Sequence, residues 1–203
     1  MRNKSRLVLI VLGVVLAIWA AAALAAEEKG KQTGQAMPPE MADWMKLAQP
    51  GEHHKHMAMM AGDWKVHSKM WMAPGAPPEE GDGSATVRPI LDGRFFLSEF
   101  RGTVMGQPFQ GMGLDGYDNY KQKHVGTWID SMGTMILSFE GSCSEGGKVM
   151  EMKGTFEDPT TRKPSYMRMV SRFKDDKTIL FESFTPGPDG KETKNMEMVY
   201  TRQ

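Results

Sequence analysis

The sequence contains a single cysteine, Cys143, in 203 residues, and it has no excess of charge of either sign. One cysteine excludes an internal disulfide bond, so the stability of the fold must come from packing. No histidine lies close to Cys143 in the sequence, and we interpret this residue as structural. Lysine plus arginine equals aspartate plus glutamate, at 25 each, and no basic stripe is present. These features argue against a nucleic-acid partner.

Three common catalytic motifs are also absent from the sequence. The sequence has no Gly-x-Ser-x-Gly turn, no Walker phosphate loop and no His-Glu-x-x-His pair. A catalytic triad would have to combine His54, Asp130 and Ser131, but adjacent residues of a strand point to opposite faces. We therefore expect a protein without enzymatic activity.

Only one long apolar run occurs, at residues 7–26. It follows three basic residues and ends in Ala23-Leu24-Ala25, a small-x-small pattern that signal peptidase accepts. We predict a signal peptide at residues 1–25 and a periplasmic or secreted protein. The alternative is an uncleaved membrane anchor, which would be the protein's only membrane association. Residues 26–51 are predicted to be a flexible linker with a helical turn near 41–47, and 52–203 the folded domain.

The folded domain has the pattern of an all-β protein. A short helix is predicted from Glu52 to Ala61, with Gly62 as its stop, and after it β-rich segments alternate with Gly, Asp, Asn and Pro clusters. The pattern predicts ten strands, near 63–73, 83–91, 94–104, 108–117, 122–130, 134–142, 148–157, 165–174, 178–185 and 192–202. Consecutive antiparallel strands joined by short hairpins most simply close into an up-and-down barrel, because closure removes exposed edges.

Methionine is abundant, with 19 residues. Strand alternation places several methionines and aromatic residues on one face, which we predict to be the interior. In the first strand this face carries Trp64, Val66, Ser68, Met70 and Met72. A methionine-lined interior suits a small apolar or amphipathic ligand, and a packed interior without a cavity is the alternative.

Several motifs resemble those of the DUF1579 family, bacterial domains of unknown function, over residues 50 to 203. They are His54, Gly62-Asp63-Trp64, Gly93-Arg94-Phe95, Gly102, Gly106-Gln107-Pro108-Phe109, Gly113-Leu114-Asp115-Gly116-Tyr117-Asp118-Asn119 and Gly126-Thr127-Trp128-Ile129-Asp130-Ser131-Met132. A weaker resemblance to lipocalins and other calycins rests on Gly62-x-Trp64 and Arg202. It implies a calycin-like barrel in which Arg202 lies over the Trp64 ring and closes one end.

Seven residues are candidates for ligand binding. An aspartate beside an aromatic wall at the barrel rim suits a polar head group, with turn capping as the alternative role of Asp130. A hydrolase or isomerase with Asp130 as base remains a further alternative. Arg94 is a candidate anchor or a rim residue. The full set is His54, Trp64, Arg94, Tyr117, Trp128, Asp130 and Met132.

The only histidine cluster is a candidate metal site. His53, His54 and His56 lie in the predicted helix, where His53 and His56 share a face. With the methionines that follow, this segment suits copper outside the cytoplasm, although it lacks the spacing of known zinc motifs. The alternative is a polar helix face, with His54 reaching the barrel and His53 and His56 facing solvent. The sequence contains no signal for an oligomeric state.

Overall fold

The computed structural model describes residues 38–159, 161–187 and 189–203. The signal peptide predicted at 1–25 and the first part of the predicted linker lie outside the described residues. A helix, α1, spans Pro39–Leu47, where the sequence indicates a helical turn. In the described part of the chain, no helix has both the length and the apolar composition needed to cross a bilayer.

A second compact unit, Leu47–Gln203, contains helix α2 (Glu52–Ala58) and a closed antiparallel barrel. Every strand pairs with the next one along the chain, and β10 pairs with β1. The predicted up-and-down barrel of ten strands, with a short helix before the first, is therefore confirmed for the residues that the structure describes. The strands are β1 (Gly62–Met70), β2 (Glu79–Ile90), β3 (Phe95–Val104), β4 (Gln107–Asp118), β5 (Lys123–Asp130), β6 (Leu137–Ser144), β7 (Val149–Glu157), β8 (Pro164–Phe173), β9 (Thr178–Pro186) and β10 (Glu192–Arg202).

The strand ends differ from the prediction at β1, β2 and β6. Strand β2 begins four residues early, because cross-strand pairs such as Lys69–Glu80 (3.6 Å) join its polar start to β1. Strand β6 begins three residues late, and the apolar Ile136 before it is 72% exposed in a loop. Met72 lies beyond the end of β1 and is 57% exposed, so its predicted interior position is wrong.

The inward faces of the strands form two adjoining apolar clusters. One is centred on Phe96, Phe139 and Met152, and the other on Trp64, Val66 and Phe100. Trp128 packs against both clusters. Its ring lies so close to the Gly111 backbone that a β-carbon at this position would overlap it. A glycine is therefore needed where the tryptophan crosses the interior.

Trp64 and Arg202 close one end of the barrel. Trp64 is 1% exposed and donates its indole N–H to the Met60 carbonyl at 2.9 Å. The Arg202 guanidinium lies 4.2 Å from the centre of the Trp64 ring and donates hydrogen bonds to three carbonyls, those of Met59, Ala61 and Asp176. A side chain at Gly62 would overlap Arg202. Helix α2 lies at this same end, which we call the closed end.

Candidate functional site

Helix α2 packs against the closed end through the side chains of His53, His56 and Met57. His53 stacks on Tyr117 of β4, with ring centres 4.1 Å apart and planes 16° from parallel. The His53 Nδ1 atom lies 3.3 Å from the Cys143 Sγ atom of β6, although 90 residues separate the two in sequence. The prediction that His53 and His56 face solvent is therefore wrong. The contact between His53 and Cys143 is not indicated by the sequence, in which no histidine lies near the cysteine.

Three side chains at this end form a group that we call the cap site: His53, His56 and Cys143. One potential ligand atom from each lies within 4.8 Å of the others. The Nδ1 atom of His56 is buried and has no hydrogen-bond partner among the described residues, while its Nε2 atom lies 3.7 Å from a Glu52 carboxylate oxygen. Imidazole nitrogen and thiolate sulfur are ligands that transition metals accept.

His124 lies beneath the cap site and was not among the predicted residues. It is 1% exposed, and neither ring nitrogen has a hydrogen-bond partner within the described part of the chain. Its ring centre is 5.5 Å from that of His53 and 5.0 Å from that of Tyr117. Burial, with a further contribution from the nearby histidines, lowers the pKa of His124 to about 4, so the ring is neutral at physiological pH. In sequence it is an isolated histidine, and only the barrel topology reveals its neighbours.

His54 is not one of the three cap-site residues, although its ring centre lies 5.9 Å from that of Tyr117. Its Nδ1 atom accepts a hydrogen bond from the Gly51 backbone N–H at 3.0 Å, and the side chain is buried. The hydrogen bond joins the first turn of α2 to the residue before it, which is a capping role. The predicted set of His53, His54 and His56 is therefore not assembled, because Cys143 takes the place of His54.

Arg94 and Asn119 attach the segment before α2 to the barrel. Arg94 donates to the Ala48 carbonyl at 3.2 Å, and the Asn119 side chain donates to the carbonyls of Leu47 (2.7 Å) and Gln49 (2.9 Å). The Arg94 side chain lies at the rim, where it also contacts Asp92. The segment that these two residues hold leads directly into the cap site.

The barrel interior contains polar groups among its methionines. Asp115 of β4 faces Gly126 and Met152, and its carboxylate has no hydrogen-bond or ion-pair partner among the described residues. Burial raises the pKa of Asp115 to about 7. Burial, together with the charge of Asp115, raises the pKa of Tyr200 to about 12. Ser183 of β9 is 1% exposed, and its hydroxyl has no partner within the described ranges.

Most inward-facing side chains of β8 to β10 are only partly buried, with Ile179 and Ser183 as the fully buried exceptions. Cross-strand pairing puts them on the same face as Val66 and Ser68 of β1. Close-packed interiors bury such residues almost completely, and these side chains are less completely buried than those at the centres of the two apolar clusters. The partly buried residues are Met167, Met169, Phe173, Phe181, Met196, Met198 and Tyr200.

The end opposite α2, which we call the mouth, has an apolar rim. A recess of about 380 Å³ lies between the β3–β4 turn and the β5–β6 loop, lined among others by Met105, Phe109 and Met132. Met132 and Ile136 at this rim are 65% and 72% exposed. The volume falls within the range of small-ligand pockets.

Trp128 and Asp130 lie near the mouth and contact each other. The Trp128 indole N–H donates to Asp130 Oδ2 at 3.0 Å, and the Met132 backbone N–H donates to Asp130 Oδ1 at 2.9 Å. Asp130 thus orients the tryptophan and caps the turn after β5. Ser131 accepts a hydrogen bond from the Gln110 backbone N–H. It follows β5 at the mouth, whereas His54 lies in α2 at the closed end, so the two residues do not form a triad with Asp130.

These features define a single antiparallel β-barrel with a Trp–Arg closure at one end, an apolar mouth at the other and polar groups inside. The chain belongs to the DUF1579 family of proteins of unknown function, whose profile matches residues 49–202. A search of the curated proteins finds no significant match.

Two solved structures share the fold. The crystal structure of Rv2717c from M. tuberculosis has a TM-score of 0.55 and 14% identity, over 76% of this chain and 99% of its own. The S-type phycobiliprotein lyase CPES from Guillardia theta has a TM-score of 0.53 and 11% identity, over 75% of this chain and 95% of its own. At these identities the likeness establishes the barrel fold alone.

Proposed function

We propose that the protein binds a small amphipathic ligand inside its barrel and acts without catalysis. The observation that carries this proposal is the partly buried inward face of β8 to β10. About eight strands enclose an interior that side chains just fill or that holds one small ligand, and this barrel has ten. We place the ligand along the methionines of these three strands, because flexible thioethers adapt to varied apolar shapes.

The interior polar groups indicate the chemistry of the ligand. A lone carboxylate in an apolar interior is costly unless a partner compensates it. Asp115 therefore favours a head group that is cationic or donates hydrogen bonds, and Tyr200 and Ser183 add neutral partners. The apolar rim of Met105, Met132 and Ile136 supports entry of the ligand at the mouth. The barrel of the phycobiliprotein lyase CPES is compatible with a small-ligand role, and the chemistry of the ligand here rests on Asp115.

A non-enzymatic role is supported by the contacts of Asp130. Both carboxylate oxygens accept hydrogen bonds, one from Trp128 and one from Met132. A general base needs an oxygen that can reach a substrate proton. We therefore propose that Asp130 positions Trp128. In this role Trp128 forms part of the interior wall that the ligand would contact.

The test compares two amphiphiles with the same chain and opposite head groups. Dodecylammonium and dodecanoate displace an anilinonaphthalene dye from the purified protein at pH 8. We expect dodecylammonium to bind at least about tenfold more tightly, which corresponds to about 1.4 kcal/mol. The Asp115→Asn variant should lose the preference. Equal affinities in the wild-type protein would contradict the assigned head-group chemistry.

A matched pair of variants tests whether the amphiphiles bind inside the barrel. Met198→Trp fills the interior from β10 and should weaken both amphiphiles. Thr201→Trp adds the same ring to the outer face of the same strand and should leave both affinities unchanged. Native mass spectrometry and organic extraction of protein purified from its own periplasm should then detect a co-purifying ligand. Equal effects of the two tryptophans, or no ligand, would contradict the proposal.

We also propose that the protein is exported, on the evidence of the basic start, the apolar run and the site at Ala23–Ala25. Cell fractionation should recover it outside the cytoplasm, and N-terminal sequencing of the native protein should begin at Ala26. A native N-terminus upstream of the apolar run would instead establish a retained anchor.

A further inference from the structure

We propose that His53, His56 and Cys143 bind one transition-metal ion that accepts thiolate and imidazole ligands, Zn²⁺ or copper. The proposal is independent of the ligand in the barrel. It differs from the histidine cluster predicted from the sequence, because Cys143 replaces His54 and the site joins helix α2 to strand β6.

The geometry is close to that of a bound ion. For tetrahedral zinc, the usual Zn–N and Zn–S lengths put ligand atoms about 3.3–3.6 Å apart. His53 Nδ1 and Cys143 Sγ already lie at 3.3 Å, and one ligand atom from each of the three residues lies within 4.8 Å of the others. A side-chain adjustment of about 1 Å at His56 would complete the three-ligand set, leaving a fourth position for water or another ligand.

The surroundings orient the ligands. Histidines that bind metals usually place their second ring nitrogen on a carboxylate, which fixes the ring. Glu52 lies 3.7 Å from His56 Nε2, and the opposite nitrogen, Nδ1, is buried without a partner in the described part of the chain. The parallel ring of Tyr117 holds the plane of His53. At Gly147, with φ of 86°, a β-carbon would overlap the His56 ring, so a glycine is needed for His56 to lie there.

His124 is a second observation that indicates a ligand at this place. A buried histidine normally has at least one hydrogen-bond partner. His124 is 1% exposed, yet both ring nitrogens lack a partner among the described residues. Its ring meets that of His53 edge-on at 5.5 Å. The two His124 nitrogens lie at the buried side of the cap site. A metal ion at that site, or a water bound to the ion, would give them the partner that they lack.

The test uses the metals themselves with the full chain. Metal-stripped, reduced protein is titrated with Co²⁺, whose thiolate charge-transfer absorption reports a Co–S bond, and Zn²⁺ is then added to displace it. Cu⁺ is titrated separately against a chelator of known affinity. We expect one ion per chain, a Co–S band, and a rise in the thermal midpoint that grows with metal concentration.

Three variants locate the site. Cys143→Ser should abolish the Co–S band, and both it and His56→Gln should weaken Zn²⁺ and Cu⁺ binding at least about tenfold. His67→Gln alters an exposed histidine of β1 that pairs with Asp82 and Glu80, and should bind as the wild-type protein does. Circular dichroism verifies that each variant is folded. Absence of a Co–S band, affinities unchanged in both cap-site variants, or loss of binding in His67→Gln would overturn the proposal.

Discussion

At the scale of single residues, the structure contrasts two kinds of interior polar group. The charge of Arg202 is compensated by its surroundings, because the guanidinium group covers the Trp64 ring and donates hydrogen bonds to three carbonyls. Asp115 is a carboxyl group with no partner among the described residues. The first is a structural residue, and the second costs stability that a bound ligand would restore. Each therefore has a different expected response to substitution.

Asp115→Asn should make the protein more stable at high pH. The folded-state pKa of about 7 lies above the ordinary aspartate pKa of 3.8, so the folded protein keeps a proton that the unfolded chain releases between these values. Stability contributed by this group is present below about pH 4 and is lost as the pH rises to about 7. At pH 8 the variant should exceed the wild-type protein by up to about 4 kcal/mol, at about 1.36 kcal/mol per pKa unit.

Urea unfolding of both proteins from pH 4 to pH 8 measures this difference. Asp92→Asn serves as the control, because the Asp92 side chain is 96% exposed and its removal should produce no such trend. A difference between wild type and Asp115→Asn that stays constant across the pH range would show that Asp115 is not buried as described.

Arg202→Ala should destabilise the barrel by about 2–4 kcal/mol, because it removes the cation–π contact and leaves three carbonyls without their donor. Arg202→Lys should recover only part of the loss, since one ammonium group cannot reproduce the planar fork. Arg162→Ala, in a surface pair whose arginine side chain is 79% exposed, should change the free energy of unfolding by less than about 1 kcal/mol. Equal losses for Arg202→Ala and Arg162→Ala would contradict the closure role.

The residue scale also shows where sequence reasoning succeeds and where it ends. The contact between Trp64 and Arg202 was expected from two motifs at the ends of the barrel sequence, and it is present in the structure. The cap site was not expected, because His53 and Cys143 are 90 residues apart and no local pattern connects them. Only the register of β4, β5 and β6 beneath α2 brings Tyr117, His124 and Cys143 together.

At the scale of elements, local patterns identified all ten strands because each hairpin is marked by its own turn residues. The errors occur where pairing overrides composition. The polar start of β2 forms a strand because β1 lies beside it, and the apolar Thr134–Ile136 segment does not, because it has no partner strand at the mouth. The position of α2 depends on two side chains from distant turns, Arg94 and Asn119, which hold the segment before the helix. The sequence of the helix itself does not indicate where on the barrel it packs.

Asn119→Ala should loosen α2 without disrupting the barrel. The substitution removes both hydrogen bonds to the segment before the helix, at an expected cost of about 1–2 kcal/mol. Hydrogen exchange of the α2 amides should accelerate, while exchange in the strands stays unchanged. Tyr120→Ala alters the neighbouring residue of the same turn, whose side chain is 84% exposed, and should have no effect on α2. Uniform acceleration across the whole barrel would contradict this local role.

At the scale of the whole molecule, stability depends on the pairing of the first and last strands. Without it the sheet would have two exposed edges and an open interior, and the single cysteine supplies no cross-link. The closed end is joined by Arg202 and covered by α2, whereas the mouth has an exposed apolar rim. A ligand that enters at the mouth would therefore meet the Trp64–Arg202 closure at the far end, and the cap site would lie outside its path.

A disulfide between β1 and β10 tests both the closure and its register. Lys65 and Thr201 are exposed and directly paired, and directly opposed residues lie within disulfide reach. In a Cys143→Ser background, Lys65→Cys with Thr201→Cys should form an intramolecular bond on mild oxidation. Because it closes a loop of well over one hundred residues, it should raise the free energy of unfolding by up to about 4–5 kcal/mol.

Thermal unfolding with and without reductant measures that gain. Lys65→Cys with Val199→Cys places the second thiol two residues out of register on the same face, and should oxidise more slowly and stabilise less, because diagonal positions are about 7–8 Å apart. Equal cross-linking of the two pairs would show that the β1–β10 register is not maintained. A disulfide that forms at Thr201 without stabilising the protein would show that closure is not the step that unfolding must break.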